Sequence, residues 1–153
     1  MPYAPDVFAP PSSPPSAALK SAAPQSLLLT GGTGLLGSYL IRDLLLDGRS
    51  LAVVVRRDRK LSAVARVEAV MVHWEETLGK PLPRPVVLEG DLTRPLCGLD
   101  ADARHWVATH CDVVLNNAAS LTFRGSDRAA EPWRTNVTGT EQVLALARET
   151  GLR

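Results

Sequence analysis

The stretch 27–37 restricts the fold of this chain more than any other part of it. It begins with an apolar run over 27–30, passes through a glycine-rich turn and leads into a segment in which leucines recur at helical spacing. Gly32, Gly34 and Gly37 have the spacing G-x-G-x-x-G. Between a strand and a helix, such glycines permit a sharp reversal, a close approach of the backbone to a pyrophosphate, and close packing of helix on strand. The stretch therefore indicates a turn that binds a dinucleotide, with a plain tight strand–helix turn as the alternative.

Apolar runs alternate with helical periodicity along the rest of the chain. The predicted strands span 27–30, 51–55, 86–88 and 113–115, and the helices after the first one span about 61–78, 102–109 and 129–149, with Pro132 in the first turn of the last. This alternation indicates β-α-β units, which give right-handed crossovers and a parallel sheet. We therefore predict an α/β fold of the Rossmann type, with a parallel sheet in the order 3-2-1-4, helices on both faces and an end before the fifth strand.

The first two helices each carry an apolar stripe. In the first helix, leucines recur at spacings of four at Leu36, Leu40 and Leu44. Residues that recur every three or four positions share one face of a helix, so we expect the stripes to pack in the core. The stripe of the second helix consists of Leu61, Val64, Val67, Met71 and Trp74.

Residues 1–25 differ from the rest of the chain in composition. They are crowded with proline, serine and alanine, and residues 10–15 read P-P-S-S-P-P. Such a segment buries too little apolar surface to offset the entropy of ordering it. We expect a disordered tail or linker over 1–25 and an NAD(P)-binding domain over 26–153.

The composition argues against several classes of function. The formal net charge of +1 over 153 residues provides no basic footprint for nucleic acid or an anionic membrane. No apolar run reaches membrane-spanning length, and the N-terminus lacks the pattern of a signal peptide. Cys97 and Cys111 are isolated, and the three histidines form no metal-ligand spacing with them. We therefore expect a cytoplasmic protein with reduced thiols and no metal.

Two arginines follow the second predicted strand. In most dinucleotide folds an acidic residue, about twenty residues after the last glycine, binds the ribose hydroxyls there. This chain has Arg56 and Arg57 at that place. A guanidinium attracts a 2′-phosphate, which an acid would repel, and it offers a bidentate pair of donors. We therefore expect NADP rather than NAD; the alternative is an exposed basic pair that Asp58 partly neutralises.

Polar and small residues follow the third and fourth strands. After the third strand, Asp91 is placed to accept a hydrogen bond from the adenine amino group, and Leu92 to line the ring pocket. Asn117, Ala118 and Ala119 follow the fourth strand, where small residues let the backbone approach the nicotinamide ribose. Because the carboxyl ends of parallel strands meet at one edge of a sheet, these residues support a single site.

Four motifs together resemble the extended short-chain dehydrogenase/reductase superfamily over nearly all of the chain from Ser26 onward. They are T-G-G-T-G-L-L-G at 30–37, G-D-L at 90–92, N-A-A at 117–119 and N-V-T-G-T at 136–140. Three further features resemble its thioester reductase and fatty acyl-CoA reductase branch, also called the male-sterility branch. These are V-R-R at 55–57, Arg66, and the stretch 90–99 followed by Trp106. Asn116 stands where that branch often has histidine.

The resemblance implies a role for each motif. Asn136 would support the active site from the last helix, and the substrate would be an acyl group, on a small molecule or a carrier, that NADPH reduces as a thioester. The cofactor-binding residues would be Gly31, Thr33, Gly34, Leu35, Leu36 and Gly37 at the pyrophosphate, Arg56 and Arg57 at the 2′-phosphate, Asp91 and Leu92 at the adenine, and Asn117, Ala118 and Ala119 beside the nicotinamide half.

The hydride-transfer motif of this superfamily does not occur in the sequence. The motif is Tyr-x-x-x-Lys with a nearby Ser or Thr, in which tyrosine exchanges a proton with the substrate and lysine lowers the tyrosine pKa. Only Tyr3 and Tyr39 are present, neither has a lysine four residues later, and no lysine follows Lys80. We therefore expect no catalytic residue here, but the N-terminal cofactor-binding portion of a longer NADP-dependent oxidoreductase. Its exposed strand edge at 113–115 would let the isolated chain self-associate.

Two other functions stay open on the sequence alone. The chain could belong to another extended reductase, epimerase or dehydratase that acts on a nucleotide sugar. It could also be a non-catalytic module that binds NADP(H). A downstream strand with Ser or Thr and then Tyr-x-x-x-Lys would favour an enzyme over the module.

Overall fold

The computed structural model of the chain describes residues 25–122 and 127–153. The tail predicted over 1–25 therefore lies, except for Gln25, outside the described residues. In chain order the elements are β1 (Leu27–Thr30), α1 (Leu35–Leu46), β2 (Leu51–Val55), α2 (Ala63–Leu78), β3 (Val86–Glu89), a 3-10 turn (Pro95–Gly98), α3 (Ala101–His110), β4 (Val113–Asn116), a π-helical segment (Arg134–Gly139) and α4 (Thr140–Thr150).

The four described strands form one parallel sheet in the order β3-β2-β1-β4. Thr30, the last residue of β1, lies opposite Val54 of β2 and Asn116 of β4. The register therefore brings the carboxyl ends of these strands to one edge, which we call the carboxyl edge. The predicted Rossmann-type topology and strand order are confirmed.

Alternate side chains of β1 enter two separate cores, because successive residues of a strand point to opposite faces of a sheet. Leu27 and Leu29 pack with residues of α1 and α2. Leu28 packs with residues of α3 and α4 on the other face. Helices thus cover both faces, as predicted, and the strand is uniformly apolar for that reason.

The buried stripe of α1 lies one position away from the leucine spacing in the sequence. Its buried residues are Gly37, Ile41 and Leu45, whereas Leu36 is 62% exposed. Gly37 packs so closely on the turn that a Cβ there would overlap the carbonyl oxygen of Gly31. Because Gly37 must face the turn, the helix presents Leu36 to solvent.

The stripe of α2 was predicted wrongly at its start. Ser62 Oγ accepts a hydrogen bond from Ala65 N at 3.2 Å and caps the helix, which begins at Ala63. Leu61 therefore precedes the helix, and both Leu61 and Val64 are exposed. The buried residues of α2 are Ala63, Val67, Met71 and Trp74.

The last helical segment also begins later than predicted, at Arg134 rather than near Ala129. Pro132 precedes it and follows a cis peptide bond. The residues before this segment form a turn that Asp127 closes. Its Oδ1 accepts from Ala129 N at 2.9 Å, and its carbonyl accepts from Ala130 N at 3.2 Å. A short side chain that satisfies nearby N–H groups in this way competes with helix formation.

Arg153 lies beside the outer edge of β4. Its N–H donates to the carbonyl of Asp112 at 3.1 Å, and its carbonyl accepts from Val114 N at 3.0 Å. Parallel strands bond in this pattern. The neighbouring Leu152 is buried. Arg153 thus occupies the place where a fifth strand was expected.

Candidate dinucleotide-binding site

The glycine turn places the start of α1 at the carboxyl edge. Gly31 has a φ of +68°, and a Cβ on it would lie 2.7 Å from the Cα of Ala118. Both features exclude a side chain at this position. A bond of 3.1 Å from Gly34 N to the carbonyl of Gly31 closes the turn. The turn therefore packs directly against the loop that follows β4.

The N-terminus of α1 differs from those of α2 and α3. Ser62 caps α2, and Asp100 caps α3 by accepting from Ala103 N at 2.8 Å. At α1 the cap residue is Gly34, no side chain of the described residues caps the helix, and the first turn carries no acid. The N–H groups and the positive dipole end of α1 are therefore available to an anion such as a pyrophosphate.

Thr30 joins the glycine turn to the residues after β4. It is 1% exposed, and its hydroxyl donates to Asn116 Oδ1 at 2.6 Å. The same oxygen accepts from the backbone N–H groups of Asn117 and Ala118, both at 3.2 Å. Asn117 Nδ2 also donates to the carbonyl of Gly31 at 3.3 Å. One donated and two accepted bonds use the full capacity of a hydroxyl.

The sequence interpretation assigned no separate role to Thr30. A polar residue that closes an otherwise apolar strand is a signal that could have suggested one. Its three partners, Asn116, Asn117 and Ala118, are 86 to 88 residues away, so the sequence alone does not identify them.

Arg66 joins the opposite side of the turn to the end of β2. Its Nη2 donates to Thr33 Oγ1 at 2.8 Å, and its Nη1 donates to the carbonyl of Arg56 at 2.5 Å. Its Nε lies 3.9 Å from Asp58 Oδ2. Arg57 instead pairs with Glu89 at the end of β3, at 2.9 Å. The resemblance included Arg66 without a role, and the structure places it between the two parts of the predicted site.

Asp58 shapes the loop that carries these cations. Its Oδ1 accepts from the backbone N–H groups of Leu61, at 2.7 Å, and Lys60, at 2.6 Å. These two bonds are the main reason why the pKa of Asp58 lies below its usual value, and the charge of Arg66 adds to them. Asp58 is therefore ionised at neutral pH, and it reduces the positive charge of the loop without removing it.

Asp91 follows β3 in a closed turn. Burial raises its pKa, but the hydrogen bonds from Thr93 N and Thr93 Oγ1, at 2.9 and 2.8 Å, lower it, as do the charges of Arg56 and Arg94. The net result is a pKa below the usual value, so the group is a carboxylate that accepts hydrogen bonds at neutral pH. Its N–H donates to the carbonyl of Cys97 at 2.7 Å. Leu92 is half-buried and packs on the core between the sheet and α4.

Asn136 holds the loop after β4 through the main chain of Ser120. Its Oδ1 accepts from Ser120 N at 2.7 Å, and its Nδ2 donates to Ser120 O at 3.2 Å. Thr140 Oγ1 donates to the Asn136 carbonyl at 2.8 Å and accepts from Asn116 Nδ2 at 3.3 Å. The asparagine at 116, where the branch often has histidine, thus supplies both the acceptor for Thr30 and the donor for Thr140.

All predicted cofactor-binding residues lie in the glycine turn, in the first three residues of α1, or within three residues of the carboxyl end of a strand. Their individual roles stay predictions. Within 25–122 and 127–153, no group of three or more His, Cys, Asp or Glu side chains is arranged to hold a metal ion. In the same ranges no helix has the length and apolar character needed to cross a membrane.

This fold and this edge define the class of the protein as a Rossmann domain of the dinucleotide-binding type. Similar solved structures are reductase domains of the extended short-chain dehydrogenase/reductase fold. The family model described as male sterility protein matches residues 29–153. The chain belongs to this family. Its relatives are oxidoreductases, which include fatty acyl-CoA reductases and the reductase domains of non-ribosomal peptide synthetases.

Three similar proteins illustrate the family. A linear gramicidin synthase of Brevibacillus parabrevis is 33% identical over 80% of this chain, which corresponds to 2% of that protein. A fatty acyl-CoA reductase of Drosophila melanogaster is 27% identical over 82% of this chain and 25% of its own length. The terminal R domain from the myxalamid PKS-NRPS biosynthetic pathway superimposes with a TM-score of 0.68 at 28% identity, over 87% of this chain and 34% of that one. The chain spans about a third or less of each of them.

Proposed function

We propose that the chain binds NADP(H) at the carboxyl edge and forms the cofactor-binding part of a reductase that transfers hydride to an acyl thioester. The observation that carries the choice of cofactor is the position of Arg66, between Thr33 of the glycine turn and the main chain of Arg56. On this fold the pyrophosphate lies at the turn and the adenosine ribose at the end of β2. A guanidinium between them favours the additional phosphate of NADP.

The anionic neighbours of these arginines do not prevent phosphate binding. Arg57 and Glu89 form an exposed pair, with 69% and 48% of their side chains accessible. Such surface pairs contribute about 0–1 kcal/mol, so replacing Glu89 by a phosphate dianion costs little. The carboxylate of Asp58 is occupied by backbone N–H groups. The arginines Arg56, Arg57 and Arg66 outnumber the two carboxylates, Glu89 and Asp58, that face Arg57 and Arg66.

The substrate class is inferred from the relatives. A fatty acyl-CoA is itself an acyl thioester, and the other two relatives are a gramicidin synthase and the terminal R domain of a PKS-NRPS biosynthetic pathway. We propose that the complete protein reduces an acyl thioester held on coenzyme A or on a carrier. The bound cofactor would supply the hydride. The residues after 153 in the complete protein would supply the Tyr-x-x-x-Lys pair, and a complete protein without that pair would instead be a non-catalytic NADP(H)-binding module.

Calorimetric titration of the chain with NADPH and NADH tests the choice of cofactor. We expect tighter binding of NADPH, because only NADPH carries the 2′-phosphate. Replacing both arginines, in Arg56→Ala/Arg57→Ala, should lower the ratio of the two affinities about tenfold or more, since hydrogen bonds to charged groups are among the strongest.

Arg148→Ala is the matched control, because Arg148 is an exposed arginine near the far end of α4. It should leave the ratio unchanged. Equal affinities of the wild-type chain for NADPH and NADH would refute the assignment of NADP.

The location that we propose for the protein is the cytoplasm. Both cysteines are free: Cys97 is buried, and Cys111 is half-buried. Burial raises the pKa of each thiol to about 11, with a smaller contribution from the charges of Asp91 and Asp112. Thiols that stay protonated at neutral pH react slowly, and unpaired cysteines are typical of reducing compartments.

A further inference from the structure

One hydrogen bond joins the two parts of the site that would hold different phosphates. Thr33 lies in the turn expected at the pyrophosphate, and Arg66 lies on α2 beside the residues expected at the 2′-phosphate. The bond from Arg66 Nη2 to Thr33 Oγ1 measures 2.8 Å and spans 33 residues of sequence. Local chain geometry does not produce such a contact, so it depends on the packing of the turn and α1 against α2.

Arg66 is held at three points. Besides the bond to Thr33, its Nη1 donates to the carbonyl of Arg56, and its Nε faces Asp58. The five N–H donors of a guanidinium point in fixed directions in one plane. Each contact therefore restricts where the remaining donors point, and the bond to Thr33 fixes the group relative to the glycine turn.

Other contacts already explain why the turn and α2 fold as they do. The turn is closed by the bond from Gly34 N to Gly31 O. The helix α2 is stabilised by the Ser62 cap and by its buried stripe. Thr33 and Arg66 are half-buried and line an open cleft of about 380 Å³ between α1 and α2. Because other contacts hold both elements in place, neither needs this bond in order to form, and its position on the wall of a cleft favours a role in ligand binding.

We infer that Thr33 is a positioning residue for the discrimination between NADPH and NADH: its hydroxyl orients Arg66 toward the 2′-phosphate and couples that pocket to the pyrophosphate turn. This inference rests on the proposed function. A hydroxyl that accepts from Arg66 keeps its own proton, so Thr33 is still able to donate to a pyrophosphate oxygen. The two bonds would then strengthen each other, because chains of hydrogen bonds polarise their members.

The test measures the dissociation constants of NADPH and NADH, by calorimetric titration of the full chain, for wild type, Thr33→Val and Thr33→Ser. Valine keeps the shape of threonine without the hydroxyl, and serine keeps the hydroxyl. Because Thr33 lies in the turn, Thr33→Val should weaken both cofactors. The coupling predicts an additional loss of about fivefold for NADPH alone, with the affinity ratio restored in Thr33→Ser.

The variant Arg66→Ala serves as a second background, in which an effect of Thr33 through Arg66 can be told from a direct contact of Thr33 with the cofactor. If Thr33 acts through Arg66, adding Thr33→Val to Arg66→Ala should leave the NADPH/NADH affinity ratio of Arg66→Ala unchanged. The same fall in the ratio in both backgrounds would overturn the inference, as would an equal weakening of both cofactors in Thr33→Val.

Failure of this inference is distinguishable from failure of the proposed function. A wild-type chain without a preference for NADPH refutes the choice of cofactor, and the inference with it. A wild-type preference for NADPH that is undiminished in Thr33→Val refutes the inference alone. If Thr33→Val does not fold, Thr33→Ala removes the same hydroxyl and is interpreted in the same way.

Discussion

Replacing Thr30 by valine should destabilise the fold by an amount that can be worked out from its hydrogen bonds. Valine has the shape of threonine, so no cavity forms, and the change removes only the hydroxyl. That hydroxyl donates one bond of 2.6 Å to Asn116 and accepts two of 3.2 Å from Asn117 N and Ala118 N. At about 0.5–1.5 kcal/mol net for each bond, and with water able to reach part of the loop, the expected loss is about 2–3 kcal/mol. This is a large fraction of the roughly 5–15 kcal/mol that stabilises a typical domain.

Urea unfolding followed by tryptophan fluorescence would measure the loss as a lower midpoint with an unchanged slope. Thr109→Val is the matched control, because Thr109 is exposed and its hydroxyl bonds within its own helix, to the carbonyl of His105. It should change the free energy of unfolding by no more than about 0.5 kcal/mol. Thr30→Ser, which keeps the hydroxyl, should cost about 1 kcal/mol for the lost methyl group. If Thr30→Val costs no more than Thr109→Val, the hydrogen bonds of Thr30 do not hold the carboxyl edge together.

Two further predictions concern acid stability and association. Two hydrogen bonds lower the pKa of Glu75 from about 4.5 to about 2, chiefly the one from the Arg84 guanidinium and then the one from Leu82 N. The Glu75 carboxylate should therefore stabilise the fold fully above pH 4.5 and lose this effect as the pH falls toward 2. Over that range the stability difference between wild type and Glu75→Gln should shrink. Urea unfolding from pH 7 to 2 measures it, with Glu76→Gln at an exposed neighbouring position as control, and a difference independent of pH would contradict it. Arg153 covers the outer edge of β4 only through its bonds to Asp112 and Val114, so the hydrophobic edge at 113–115 should still make the isolated chain associate at high concentration. Sedimentation velocity detects this association; a monomer that unfolds cooperatively at high concentration would disprove it.

The strands and their order could be predicted because the signals for them are local. A uniformly apolar run over 27–30 indicates a central strand, and alternation with helices indicates the parallel topology. The rotation of each helix about its axis, which decides which of its side chains are buried, could not be predicted as well. Leucine spacing pointed to Leu36, but the packing of Gly37 on the turn sets the rotation of α1. The Ser62 cap likewise moves the start of α2 past Leu61.

The position of the candidate residues at the carboxyl edge was predictable, whereas their contacts were predictable only in part. Positions that follow strand ends are recognisable from sequence, and this placed Arg56 and Asp91 at the carboxyl edge. The direction of a long side chain depends on partners far away in the chain. The sequence thus did not predict that Arg57 pairs with Glu89. It also did not predict the contact of Arg66 with the glycine turn, which depends on how α2 packs.

The glycine turn connects the two halves of the carboxyl edge through two threonines. On one side, Thr30 bonds to Asn116 at the end of β4 and to the two residues after it, and Asn116 also bonds to Thr140 at the start of α4. On the other side, Thr33 bonds to Arg66 and so to the end of β2. A dinucleotide on this fold spans the same three places, with the pyrophosphate in the middle. The sequence T-G-G-T therefore does more than permit a tight turn: its glycines let the backbones approach, and its hydroxyls bond to the residues after β4 on one side and to Arg66 on the other, where we propose that the two halves of the cofactor bind.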